Sequence, residues 1–64
     1  MGTVAKENPL YEQWLEAIES EGLNLTTWEL KFIEDMRDRF DRRQTALTPS
    51  QAEQLERIYS ERTP

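Results

Sequence analysis

Two copies of one short pattern, Thr26-x-x-Glu29 and Thr48-x-x-Gln51, decide where this chain can turn into helix. In each, the threonine hydroxyl can accept from the backbone N–H three residues on, while the Glu or Gln reaches back to the threonine N–H. A third start lies at Asn8-Pro9. There asparagine caps, and proline takes a first helical position that has no amide to satisfy. Apolar residues three or four apart follow each start: Leu10, Tyr11, Trp14, Leu15 and Ile18, then Trp28, Phe32, Ile33, Met36 and Phe40, then Ala52, Leu55, Ile58 and Tyr59. That spacing lays each set along one helical face. Helices are therefore expected over residues 9–21, 27–43 and 49–61, and no period-2 alternation predicts a strand. Short connectors make sequence neighbours into spatial neighbours, so the expected fold is all-α, a compact three-helix bundle. Residues 8–62 are expected to form one helical domain, with flexible ends expected at 1–7 and 63–64.

Finer local signals agree. Leu25 and Leu30 have the spacing of a hydrophobic staple around the Thr26 cap. Gly22 suits a left-handed residue just past the first helix. Asp35 with Arg39, Asp38 with Arg42, and Glu53 with Arg57 are acid-before-base pairs four apart, each contributing about 0.2–0.5 kcal/mol. Arg42 and Arg43 fall in the last turn of the second helix, where positive charge suits the dipole.

A chain of 64 residues builds a core whose net contribution is about 3–5 kcal/mol. It has no cysteine and no histidine. That removes disulfides, thiolate metal sites, the commonest zinc ligand and the commonest general base. Carboxylate pairs abound, but a bundle this small leaves little room for a ligand cavity of about 300 Å³. No enzyme activity, cofactor or metal is expected.

Net charge is −5, unevenly spread. Residues 7–35 hold eight acids and one base, a local charge of −7, and residues 36–64 hold five acids and six bases, a local charge of +1. On the first helix Glu12, Glu16 and Glu19 share a ridge opposite the Trp14 stripe. Glu12 and Glu16 repel at four apart. Glu19 and Glu21 oppose the dipole at the helix end. Local rules kept elsewhere are broken here, which fits either an ordinary solvated face that keeps a small protein soluble or an acidic docking face for a basic protein surface. Tyr11 and Trp28, at the edges of their stripes, are expected half exposed beside this ridge as interface anchors. Trp14, Phe32 and Met36, in mid-stripe, are expected inside.

Arg37, Arg39, Arg42 and Arg43 offer alternative phosphate contacts, although Asp35, Asp38 and Asp41 interleave with them. A DNA-reading helix-turn-helix is disfavoured, because the third helix exposes Glu53, Glu56 and Glu61 against only Arg57 and Arg62. No apolar run approaches the ~20 residues of a membrane span. The N-terminus lacks the apolar core of a signal peptide. It begins Met-Gly, but Lys6 stands where the myristoylation pattern wants Ser or Thr. The expected location is the cytoplasm, and the expected state a monomer or homodimer.

The run from Trp28 to Tyr59 carries W-E-x-x-F-I … L-T-x-x-Q-x-x-x-L-x-x-I-Y in Trp28, Glu29, Phe32, Ile33, Leu47, Thr48, Gln51, Leu55, Ile58 and Tyr59. It resembles a segment of small bacteriophage-encoded proteins and of the tails of phage replication proteins. The resemblance implies a phage origin, hence the cytoplasm of a host cell, and transfers no functional residue. Taken with the acidic ridge, the expectation is a non-catalytic module that docks on a host or phage nucleic-acid enzyme and modulates or inhibits it. The alternative is a replication-associated nucleic-acid-binding domain using the arginines.

Overall fold

A computed structural model describes residues 5–64. They form three helices, α1 (Pro9–Glu21), α2 (Thr27–Asp41) and α3 (Pro49–Arg62). All three expected starts are present. Asn8 Oδ1 accepts from the Leu10 N–H at 2.9 Å. Thr26 with Glu29 and Thr48 with Gln51 both close reciprocal capping boxes.

Tyr11, Leu15 and Ile18 from α1, Ile33, Met36 and Phe40 from α2, and Leu55 and Ile58 from α3 form the buried core, joined by Leu47 from the connector. Trp14, Leu25, Phe32, Ala52 and Tyr59 pack around it partly buried. Trp14 bridges Tyr11 and Tyr59, with ring centroids 5.8 and 6.0 Å apart. Helix α1 packs against both other helices, more closely against α3, while α2 and α3 approach each other little.

The helix ends depart from the sequence reading. Gly22 is extended (φ −65°, ψ 136°), so it is not the left-handed stop. A side chain there would press a Cβ into the Ile18 carbonyl and against Leu25. The left-handed residue of this loop is Asn24 (φ 58°). Helix α2 stops at Asp41, two residues early. Arg43 turns left-handed (φ 63°), its N–H donates to the Phe40 carbonyl (3.0 Å), and Gln44 N–H donates to the Arg39 carbonyl (2.8 Å). That is a Schellman stop built on arginine, where glycine is the usual occupant. Arg42 and Arg43 thus lie in the turn just past the helix.

The N-terminal segment expected to fray lies partly outside the described residues. Within them, Lys6 and Leu47 exchange backbone hydrogen bonds of 2.9 and 2.8 Å, and Glu7 accepts from the Thr45 hydroxyl at 2.9 Å. Among the described residues no helix is long and apolar enough to cross a membrane.

Leu15 is fully buried, whereas Trp28 keeps 55% of its surface exposed. Leu15→Ala should cost about 2–5 kcal/mol and largely unfold the domain. Trp28→Ala should cost about 1–2 kcal/mol, the part of its ring that is covered. Urea denaturation followed by circular dichroism measures both, and equal losses would contradict this core.

Candidate functional site

The most constrained polar group is Glu29, at the start of α2, which is only 2% exposed. One carboxylate oxygen accepts from the Thr26 N–H at 2.8 Å. Arg62, at the end of α3, donates its Nε–H to the same oxygen at 3.1 Å and to the other at 3.4 Å. Arg57 stands 3.9 Å away. Beside this joint, the Leu23 N–H donates to the Arg62 carbonyl at 2.9 Å. The loop after α1, the start of α2 and the end of α3 therefore meet around one carboxylate. The Thr26 backbone N–H holds the Glu29 carboxyl below its ordinary range; burial opposes this, and Arg62 adds to the lowering.

In the sequence, Glu29 is recognisable only as a cap. Its partners lie far along the chain, and no local pattern announces them. Arg57, read as the partner of Glu53, instead bonds Gln54 at 2.8 Å and Glu61 at 3.3 Å.

The acidic ridge is only partly free. Glu12 and Glu16 are exposed. Glu19 is engaged by Arg37, whose Nε donates to both its oxygens at 3.0–3.1 Å and whose Nη2 closes to 2.5 Å. Asp41 stands 3.7 Å from the same guanidinium. The Glu19 hydrogen bond, with the fields of Asp41 and Glu16, raises the Arg37 pKa further. The ridge thus runs along the seam between α1 and α2.

The expected anchors are not brought together. Tyr11 is 8% exposed, a core residue, because its ring packs with Trp14 where α1 meets α3. Trp28 is exposed as expected and stacks on half-buried Phe32, with centroids 5.4 Å apart and planes 11° from parallel. Trp28 and Arg37 lie about two and a half turns apart on α2 and so point to opposite flanks. Trp28 therefore sits away from the acidic seam. Trp14 and Phe32 are half-buried, and Met36 is fully inside.

The arginines are largely spoken for. Arg39 lies 3.7 Å from Asp35, and Arg42 lies 3.4 Å from Asp38. Arg43 is exposed in the turn.

The surface also has more relief than chain length suggested. An open cleft of about 600 Å³ between α1 and α3 includes Tyr11, Trp14, Ala52 and Arg57. A second of about 480 Å³ lies between α1 and α2, lined by Ile18, Gly22, Leu25, Leu30 and Ile33 with Glu19, Glu34 and Arg37. Both staple leucines line it, and that spacing was the one sequence signal for it. Among the described residues no group of three or more acidic, histidine or cysteine side chains is placed to hold a metal ion. Comparison with family models, with curated proteins and with solved structures found no match.

The lowered Glu29 pKa has a testable consequence. A carboxylate depressed on folding contributes stability at pH above its ordinary value, 4.5 here, and that contribution is lost as pH falls through the lowered value. Glu29→Gln keeps an acceptor but loses the charge, and should cost about 1.5–3 kcal/mol at pH 7. The gap to wild type should narrow below pH about 4.5. Urea midpoints from pH 7 to 2.5 measure it, and a gap constant across that range would contradict the joint.

Proposed function

We propose that this protein is a small, phage-type binding module that acts without catalysis. It docks the acidic α1–α2 face on the basic surface of a host or phage nucleic-acid enzyme and modulates or inhibits it. The observation that carries this reading is the open pair Glu12 and Glu16. Both are exposed on α1, and neither forms an ion pair within 4 Å among the described residues, although the field of Glu16 reaches Arg37. The arginines nearby are consumed by Glu19, Asp41, Asp35 and Asp38. The seam therefore presents net negative charge to any approaching surface.

Such a face steers a basic partner, raising association rates by about 10–10³-fold at low salt. Nucleic-acid enzymes display basic clefts, which an acidic face can occupy. The phage resemblance adds a setting in which such inhibitors are useful. The alternative reading, phosphate contact through Arg37, Arg39, Arg42 and Arg43, has less support, because three of the four are already held by carboxylates.

The test uses the whole chain immobilised as bait. Host-cell proteins that bind phosphocellulose are passed over it at about 50 mM salt, where surface electrostatics are weakly screened. Wild type should retain a specific protein that added duplex DNA releases. The Glu12→Lys, Glu16→Lys double variant, folded by circular dichroism, should not. Equal retention by both chains would remove the acidic face from the account. A direct mobility shift of DNA by wild type at the same salt would favour the alternative.

A further inference from the structure

We propose that the cleft between α1 and α2 receives an apolar side chain from a basic amphipathic helix of the partner. This deepens the docking reading and rests on it: the acidic face would attract the partner, and the cleft would seat it. The floor is apolar, made by Ile18, Leu25, Leu30 and Ile33. Leu30 keeps 49% of its surface exposed at the mouth, although it stands beside the fully closed core. An exposed leucine lining a concave apolar wall gains by being covered. Gly22 lines the same wall, where there is no room for a side chain, since a Cβ would meet the Ile18 backbone and the Leu25 side chain.

The rim decides the chemistry of the occupant. The cleft's one base, Arg37, is already bound to Glu19, which leaves Glu34 exposed with no ion-pair partner among the described residues. The floor is also the C-terminal end of α1, where backbone carbonyls carry partial negative charge. Arg39 and Arg62 stand in the last turns of α2 and α3, whereas α1 has no base there. A cation from outside would complete this end. An apolar residue for the floor and a Lys or Arg one turn away for Glu34 and the α1 terminus describe one face of a basic amphipathic helix. An acidic or neutral helix would meet repulsion or leave the carboxylates unpaired.

The probe is a synthetic peptide of about 15 residues, long enough to form helix, with leucine every third or fourth position and lysine elsewhere. Its control has the same lysines with serine in place of leucine. Isothermal titration at about 150 mM salt should show the leucine peptide binding at least about tenfold more tightly than the control. Leu30→Ser and Glu34→Lys, each retaining the wild-type circular dichroism spectrum, should each weaken the leucine peptide at least about fivefold. Equal binding of the two peptides, or unchanged affinity of Leu30→Ser, would overturn the proposal. Failure here with a Glu12→Lys, Glu16→Lys effect intact would leave the acidic face standing and remove only the cleft. Loss of both effects would remove the docking reading with it.

Discussion

A single carboxylate holds the bundle's geometry together. Glu29 closes the N-terminus of α2 and binds the last residue of α3 with the same oxygen. The two helices make little other approach. Taking a carboxylate out of water is costly, and removing one partner of a buried pair is costlier than replacing the pair by apolar groups. The cost is offset here by a backbone donor and a guanidinium that reach the charge from two sides. What this joint supplies is position. It decides that the end of α3 meets the start of α2, and the Leu23–Arg62 backbone bond brings in the end of α1 at the same corner.

With α2 held at its start, its Arg37 flank lies along α1 and meets Glu19. The acidic seam and the apolar cleft are two consequences of that packing, because Ile33 and Leu30 face the same gap that Glu19 and Arg37 border. Trp28, on the opposite flank of α2, stays outside the seam. The surface offered to a partner thus lies on the α1–α2 flank, with exposed carboxylates along it, while the buried Glu29 carboxylate and the half-buried Arg62 tie the helices at one end.

The sequence carried the parts of this that are local. Three caps and three apolar stripes depend on residues within one or two turns, so helix starts and most of the core were legible. Where the determinants are distant, no local pattern announces them. Glu29 looked like a cap, because Arg57 and Arg62 reach it only through the fold. Tyr11 looked like an edge residue until Trp14 and the α3 contact enclosed it. Arg43 adopts a left-handed conformation that disfavours a side chain, so its Schellman stop had no glycine to announce it. Gly22 invited that role and is instead required by close packing. For the docking face, Glu12 and Glu16 were legible as broken local rules. The engagement of Glu19 and the anchoring floor required the packing of α1 on α2.

Glu29 and Arg62 act as one unit. A double-mutant cycle with Glu29→Gln, Arg62→Gln and the combined variant, read by urea denaturation at pH 7, measures that directly. The expected coupling is at least about 1 kcal/mol, with the second substitution costing much less once the first is made. Costs that add to within about 0.5 kcal/mol would show two independent surface contacts and contradict it.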